Sequence, residues 1–244
     1  MTRLCNIAHR GASGNFPENT RLAFEKALET GADMIEIDCQ LSRDGHVIVF
    51  HDERLDRTAG VGGRVHDRTL AELKTLDIGS WRKRAFSGQR ILTLEEALSI
   101  ICGRADLCVE IKAYAGAPRG IEIKLLFILS HYDYLHRTII ASFDIGSLAR
   151  VRELAPEARL GVIAGSAGLE NPFERARQIG AASLHIETRL VTRELIDRAR
   201  LQGLHTFAWT VNDAKEMARF AALGVNGLIT DFPERLAALE AHRA

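Results

Sequence analysis

Ionisable side chains interrupt several short apolar segments of this 244-residue chain. They occur as His9-Arg10-Gly11, Glu36-Ile37-Asp38, His51-Asp52 and Glu110-Ile111-Lys112, and each of these segments otherwise has the composition of a buried strand. An ionisable group buried without a partner costs on the order of several kcal/mol, so such groups concentrate where chemistry requires them. The four segments therefore predict a reaction centre built around a metal ion.

The carboxylates in these segments have the spacing of metal ligands. In a strand, Glu36 and Asp38 share one face, and so do Glu110 and Lys112. If the intervening aliphatic residues pack against helices, all four side chains point inward, and three inward carboxylates repel one another unless a cation lies between them. Oxygen ligands favour Mg²⁺ or Ca²⁺, with Mn²⁺ as a further candidate, because Zn²⁺ would recruit histidine. An internal salt-bridge network of Glu36, Asp38 and Lys112 is the alternative, although such networks seldom offset their desolvation.

The histidines of these segments, His9 and His51, are candidates for an acid and a base. Cleavage of a phosphodiester needs one group that accepts a proton from the nucleophile and one that protonates the leaving alkoxide, and two imidazoles can share these tasks. Arg10 and Lys112 suit an anionic substrate, and the guanidinium fork matches phosphate oxygens. Taken singly, either histidine is also explained as a hydrogen-bonded core residue.

The elements that would position these residues alternate along the chain. Short β-branched runs are separated by segments of helical period, which is typical of parallel β-α units; seven or eight such units close into a TIM-type (β/α)8 barrel, usually of about 250 residues. We predict strands at 5–9, 34–39, 47–50, 107–111, 138–142, 160–163, 183–186, 206–211 and 227–230. We predict helices at 20–28 and 192–202, and two more that begin near Pro172 and Pro233.

One strand departs from this alternation. Between Cys39 and Val47 there is no room for a helix, and Asp44-Gly45 is a hairpin signal. The sequence therefore predicts that 47–50 folds back on the preceding strand as a β-hairpin, which would bring His51 opposite the stretch from Glu36 to Asp38.

The stretch after this hairpin, approximately 53–90, is weakly periodic and rich in Gly, Arg and Asp. We expect it to be a small insertion over the strand ends, as a lid or a pocket wall. The whole chain, 1–244, is then predicted to be a single TIM-barrel domain that contains this insertion.

The composition excludes several classes of protein. Lys+Arg and Asp+Glu both number 32, so no excess of positive charge predicts a nucleic-acid partner. The longest apolar run, Leu125 to Leu129, is far below the roughly 20 residues of a membrane span, so we expect no membrane anchor. The N-terminal residues do not resemble a signal peptide, and four scattered cysteines are typical of free thiols. A cytoplasmic location is therefore expected.

The motifs together resemble one family. In order, they are His9-Arg10-Gly11, Pro17-Glu18-Asn19-Thr20, Glu36-Ile37-Asp38, Asp44-Gly45, His51-Asp52, Glu110-Ile111-Lys112, Ser142-Phe143, Trp209-Thr210-Val211-Asn212 and Thr230-Asp231-Phe232-Pro233. Their order and spacing are similar to those of the glycerophosphodiester phosphodiesterases. The resemblance implies a TIM-type barrel with a small insertion after the strand bearing His51. It further implies a divalent metal held by Glu36, Asp38 and Glu110, and hydrolysis of a glycerophosphodiester to sn-glycerol 3-phosphate and an alcohol, with His9 and His51 as the acid-base pair.

On this resemblance, His9 is our choice of base and His51 of acid, but the two roles could be exchanged. Attack by the glycerol 2-hydroxyl, through a cyclic phosphate, and attack by water both stay open. Arg10 and Lys112 would bind the phosphoryl group and stabilise its charge.

Four further residues receive expected roles. Glu18 and Asn19 would position the metal site from the first strand-to-helix loop, although Asn19 or Thr20 could instead cap the helix. Phe143 and Trp209 would form a wall against which glycerol packs, or else belong to the upper layer of the core.

Three other functions are weighed against this one. A lipid-directed phosphodiesterase of the phospholipase C or D type would need an exposed apolar rim, which the sequence does not offer. An enolase-like lyase would not call for paired histidines. A non-catalytic phosphodiester-binding barrel would be favoured by loss of one histidine, and both are present.

Overall fold

The computed structural model describes residues 3–165 and 171–241. Eight parallel strands form a closed barrel, in which β1 pairs with β2 on one side and with β10 on the other. The strands are β1 (Cys5–His9), β2 (Met34–Leu41), β3 (Val47–Val49), β4 (Leu92–Thr93), β5 (Asp106–Ile111), β6 (Thr138–Ser142), β7 (Arg159–Ala164), β8 (Ser183–Glu187), β9 (His205–Trp209) and β10 (Gly227–Thr230). The predicted TIM-type fold is confirmed, and each predicted strand is found with bounds that differ by at most two residues.

Helices follow the barrel strands and cover their outer faces, apart from two short helices, at Asp56–Ala59 and Leu70–Lys74, that lie in the insertion. They are α1 (Arg21–Glu29), α2 (Asp56–Ala59), α3 (Leu70–Lys74), α4 (Leu94–Ile101), α5 (Ile121–His131), α6 (Ile145–Leu154), α7 (Pro172–Ile179), α8 (Arg193–Leu201), α9 (Ala214–Leu223) and α10 (Pro233–Ala241). Local sequence explains where several begin. Thr192 caps α8 with its side chain. Pro172 and Pro233 occupy the first positions of α7 and α10, where the backbone N–H that proline lacks would have no acceptor within the helix.

The apolar side chains form two layers around the strands. The outward-facing residues of β2, Ile35, Ile37 and Cys39, pack with the helices in the main core. The inward-facing Met34 belongs to a smaller cluster inside the barrel. Strand alternation therefore turns the next inward residues of β2, Glu36 and Asp38, toward the barrel interior at the carboxyl end of the sheet.

The predicted hairpin is present. Leu41 pairs with Val47 and Cys39 with Val49 in an antiparallel register, and the Phe50 amide donates to the Asp38 carbonyl at 2.9 Å. His51 therefore follows the strand at the level of Ile37. The sequence did not predict β4, because two residues are too few to give a periodic signal; β4 pairs with the free side of β3.

The insertion packs on this hairpin. Its apolar side chains, among them Leu55, Val65 and Leu73, form a separate cluster with Ile48 and Phe50 of the hairpin. In the described residues, no helix is long and apolar enough to cross a membrane.

Candidate active site

The polar residues predicted from the four motifs meet at the carboxyl ends of the barrel strands. They surround a cavity of about 270 Å³, which is lined by His9, Arg10, Glu36, His51, Glu110 and Lys112. This is the end of the barrel at which parallel strands present their functional side chains. None of the described residues lining this cavity comes from the insertion at 53–90, so that segment is not a wall of the pocket.

Three carboxylates form an acidic cluster at this end of the barrel. Glu36, Asp38 and Glu110 each offer a carboxylate oxygen, and these three oxygens lie within 4.8 Å of one another. Asp38 is paired with Glu110 in the register of β2 and β5. Burial raises the pKa of Glu36 well above its usual range, and the negative charges of Asp38 and Glu110 raise it further.

Two cations lie against this cluster. Lys112 Nζ is 2.5 Å from Glu110 Oε1 and 3.0 Å from Asp38 Oδ1, and Arg10 Nε is 3.2 Å from Asp38 Oδ2. Although burial opposes it, these cations hold the pKa of Asp38 far below its usual range. The salt bridges considered for Asp38 and Lys112 are thus formed.

Glu36 is not balanced by this network. It accepts a hydrogen bond of 2.9 Å from the backbone amide of Arg10, but among the described residues no lysine or arginine side chain forms an ion pair with it. Asp38 Oδ1 is likewise buried without a well-formed hydrogen bond. Three clustered carboxylates, one of them unbalanced, are a donor set that fits a hard divalent cation.

The two histidines are held in the same way by different aspartates. His9 Nδ1 lies 2.6 Å from Asp231 Oδ1, which also accepts from Ser13 Oγ, while Asn212 Nδ2 donates to Asp231 Oδ2. Burial alone would raise the pKa of Asp231, but these hydrogen bonds and the imidazole lower it to about 2. Because Nδ1 is occupied, His9 is left with Nε2 for the cavity.

The second dyad follows the hairpin. His51 Nδ1 lies 2.6 Å from Asp52 Oδ1, and the Tyr114 hydroxyl donates to the His51 carbonyl. Arg57 donates to both oxygens of Asp52, at 2.6 and 3.1 Å. These bonds hold the pKa of Asp52 well below its usual range against the effect of burial.

Glu18 and Asn19 lie behind the cavity rather than in its wall. Glu18 accepts a hydrogen bond of 2.9 Å from Arg10, and Asn19 Nδ2 donates to Asp38 Oδ2 at 2.8 Å. The capping role falls to Thr20, whose hydroxyl accepts from the Ala23 amide. Both predicted positioning residues therefore contact groups of the cavity.

Phe143 and Trp209 form an aromatic edge of the cavity. Their ring centroids are 5.9 Å apart at an interplanar angle of 89°, and Phe143 remains 40% exposed. A rim of this kind offers a flat apolar surface to the carbon atoms of a small ligand.

Sequence reasoning did not assign roles to four residues of this site. Asp52 and Asp231 stand within the motifs, so their presence was a signal, but nothing marked them as imidazole partners. Arg57 comes from the aperiodic insertion and gave no signal. His185, which lines the cavity floor from β8, could have been found from its inward position in the strand alternation.

Comparison with known proteins gives a consistent result. A sequence profile described as the glycerophosphoryl diester phosphodiesterase family matches residues 9–235. The glycerophosphodiester phosphodiesterase of Caldanaerobacter subterraneus subsp. tengcongensis is 43% identical over 232 residues, 94% of this chain and 95% of that protein. The glycerophosphodiester phosphodiesterase of Bacillus altitudinis is 36% identical over 239 residues, 96% of each. A solved structure of an Oleispira antarctica phosphodiesterase in complex with the product sn-glycerol-3-phosphate superposes with a TM-score of 0.88 at 29% identity, over 98% of this chain and 96% of that one.

Proposed function

The chain belongs to the glycerophosphoryl diester phosphodiesterase family, and on that premise we propose that it hydrolyses glycerophosphodiesters to sn-glycerol 3-phosphate and an alcohol in a metal-dependent reaction. One observation carries the proposal: two histidines, each held through Nδ1 by an aspartate, face the same cavity as an acidic cluster. A cleft that presents an acid, a base and a cation site together suits phosphoryl chemistry.

Glu36, Asp38 and Glu110 would hold the divalent cation. Their oxygen donors suit Mg²⁺ or Ca²⁺, with Mn²⁺ as a further candidate. The cation, when bound, would offset charge that develops on the phosphoryl oxygens and lower the pKa of a nearby hydroxyl. It would also balance Glu36, which the lysine and arginine of the site leave unpaired.

The histidines would move the protons. In the assignment we propose, His9 Nε2 accepts a proton from the attacking hydroxyl, and His51 Nε2 donates one to the leaving alcohol. Asp231 and Asp52 keep each ring oriented and stabilise its protonated form, as the buried carboxylate does in a serine protease triad. Arg10 and Lys112 would attract the phosphodiester and stabilise its charge.

The substrate would be a small glycerophosphodiester. The product bound by the Oleispira antarctica enzyme supports this substrate class. Phe143 and Trp209 would contact the glycerol carbons. We further propose that 1–244 acts as a single barrel domain and works in the cytoplasm, in keeping with its free cysteines.

Release of sn-glycerol 3-phosphate from glycerophosphocholine tests the proposal. The chelator-stripped protein should be inactive and should regain activity with Mg²⁺, Ca²⁺ or Mn²⁺. His9→Ala and His51→Ala should each abolish turnover while the melting temperature and the metal affinity stay close to those of the parent protein. His46→Ala is the matched control, because His46 is exposed beyond the hairpin turn.

Two outcomes would contradict this proposal. Absence of release with every metal, from a folded sample, would favour a lipid phosphodiester or a binding role. Near-normal rates in one histidine variant would remove that residue from the chemistry.

A further inference from the structure

We propose that Arg57 is a positioning residue for this reaction, one that orients the general acid through Asp52 and is itself anchored by Glu18. The inference rests on the function proposed above. Arg57 belongs to α2 in the insertion, and it does not line the cavity. Its guanidinium instead joins two carboxylates that stand directly behind cavity residues.

The guanidinium of Arg57 forms two hydrogen bonds with each of two carboxylates. It donates to both oxygens of Glu18, each at 2.7 Å, and to both oxygens of Asp52, at 2.6 and 3.1 Å. Bidentate pairs of this kind fix the orientation as well as the distance of a carboxylate. The side chains of Glu18 and Asp52 are only 13% and 23% exposed, so the carboxylates are shielded from water, while the Arg57 side chain that joins them is 43% exposed.

Each carboxylate in turn holds one group of the site. Asp52 binds Nδ1 of His51, and Glu18 accepts from Nη1 of Arg10 at 2.9 Å. A continuous chain of hydrogen bonds therefore runs from the imidazole of His51 through Arg57 to the guanidinium of Arg10. Without Arg57, Glu18 would still be held by Arg10, whereas Asp52 would keep, among the described residues, only its contact with His51, so the loss falls on the orientation of that imidazole.

The insertion fixes the position of Arg57. The indole of Trp81 lies against its guanidinium, with 5.5 Å from Cζ to the ring centroid. Trp81 is itself held by a hydrogen bond of 3.0 Å from its Nε1 to the Ile78 carbonyl. The insertion thus supports the cavity indirectly, through a clamp that consists of Arg57, Glu18 and Asp52.

The chemical consequence is specific to the leaving group. A misoriented His51 delivers a proton poorly to an alkoxide, so loss of the clamp should lower kcat for an alkyl alcohol. A p-nitrophenolate leaving group departs without a proton, so its release should depend much less on His51. A merely structural role for Arg57 would not separate the two substrates.

The test compares Arg57→Gln and Arg57→Lys on glycerophosphocholine and on the p-nitrophenyl ester of glycerol 3-phosphate. For glycerophosphocholine we expect kcat to fall by ~10- to 100-fold in Arg57→Gln, the range seen when outer-shell partners are removed, with KM nearly unchanged. For the nitrophenyl ester we expect a smaller fall in kcat. The logarithm of kcat should fall by less than about one third as much as it does for glycerophosphocholine. Arg57→Lys, which keeps the charge but not the fork, should fall between Arg57→Gln and the parent protein.

Two controls separate the alternatives. Arg54→Gln removes an arginine of the same insertion whose side chain, among the described residues, pairs with the exposed Asp56 alone, and it should behave as the parent protein. Because Arg57 acts through Asp52, its loss should add little once Asp52 is replaced. The kcat of the double variant Arg57→Gln, Asp52→Asn should therefore lie within about 2-fold of that of Asp52→Asn alone.

The results that would overturn the inference are distinct from failure of the proposed function. Equal losses on both substrates, a change confined to KM, or additive losses in the double variant would each refute the clamp while the parent protein remains active. An unchanged kcat in Arg57→Gln would do the same. If Arg57→Gln fails to fold, the leaving-group comparison in Arg57→Lys decides, and an inactive parent protein would instead refute the proposed phosphodiesterase function.

Discussion

His9 Nδ1 and Asp231 Oδ1 lie 2.6 Å apart although 222 positions separate the two residues in the chain. The contact arises because β1 and β10 pair in parallel with Ala8 beside Thr230, so the residues that come next, His9 and Asp231, lie side by side. The orientation of this histidine is therefore set by closure of the barrel.

Replacing this partner should impair turnover without unfolding the protein. Asp231→Asn retains the size of the side chain but can turn a donor toward Nδ1, which selects the wrong tautomer of His9. We expect kcat to fall by roughly 10²- to 10⁴-fold, as in other aspartate-histidine dyads. Steady-state kinetics with glycerophosphocholine measures this change. Glu234→Gln, in the first turn of α10 and paired with the exposed Asn15, is the control, and equal rates in both variants would count against the dyad.

Glu36→Gln, a substitution in the acidic cluster, should stabilise the metal-free protein and weaken its response to metal. Glu36→Gln removes a buried carboxyl group whose charged form is disfavoured by burial and by the charges of Asp38 and Glu110, so the metal-free variant should melt at a higher temperature than the parent protein. The same change removes one of the three proposed ligands, so the metal concentration for half-maximal activity should rise by at least ~10-fold.

Thermal melting with and without added Mg²⁺ measures both effects of Glu36→Gln, because a ligand that binds the native state raises its melting temperature. Glu25→Gln on α1, an exposed residue that pairs with Arg21, provides the comparison. A metal-induced shift in Glu36→Gln as large as that of the parent protein would exclude Glu36 as a ligand.

Asn19 combines an unusual backbone with a buried hydrogen bond. Its φ is +55°, in the left-handed region, and its amide holds Asp38 Oδ2. Both Asn19→Gly and Asn19→Ala lose the hydrogen bond, but alanine keeps a Cβ in the left-handed conformation, whereas glycine adopts it without strain. We expect the alanine variant to be less stable than the glycine variant by about 1 kcal/mol in urea unfolding. Both should need more metal for activity; equal stabilities would mean that the backbone at 19 relaxes.

His185 should make the stability of the protein depend on pH. Burial lowers the pKa of this imidazole to about 4, and the side-chain groups of the described residues that hydrogen-bond to it are Ser183 Oγ and the more distant Cys108 Sγ. The unfolded chain therefore binds a proton near pH 6.5 that the native state refuses until about pH 4. This difference in proton binding has no effect on stability above pH 6.5, and it lowers the free energy of unfolding by up to about 3 kcal/mol as the pH falls to 4.

Urea unfolding at pH 7, 5 and 4 measures this dependence. His185→Gln has no group that titrates there, so the loss of stability between pH 7 and pH 4 should be smaller than in the parent protein by up to that amount. Curves that run parallel for the two proteins would show that His185 is protonated in the native state.

Much of the fold was predictable from sequence because it follows from periodicity. Alternation along β2 separates Ile35 and Ile37 from Glu36 and Asp38, and eight repeats of strand and helix leave closure as the way to bury both layers. Asp44-Gly45 marks the hairpin that brings His51 back to the level of β2. These are local signals, and each fixes a long-range relationship.

The parts that were not predictable depend on contacts without a local signal. The partnership of Asp231 with His9 appears only when the first and last barrel strands meet. Arg57 lies in a segment held by its own small apolar cluster, and no period relates it to Asp52 or Glu18. The choice between Asn19 and Thr20 as a helix cap required the position of Asp38, which only the folded barrel provides.

The pairing of β1 with β10 has a consequence for biosynthesis. In a growing polypeptide, the aspartate that orients the ring of His9 is added 222 residues after the histidine itself. A nascent chain, or one clipped before β10, can carry most of the charged residues of the cavity and still lack a restrained His9. Competence thus requires the last barrel strand, and hydrolysis by this protein would report that the barrel has closed.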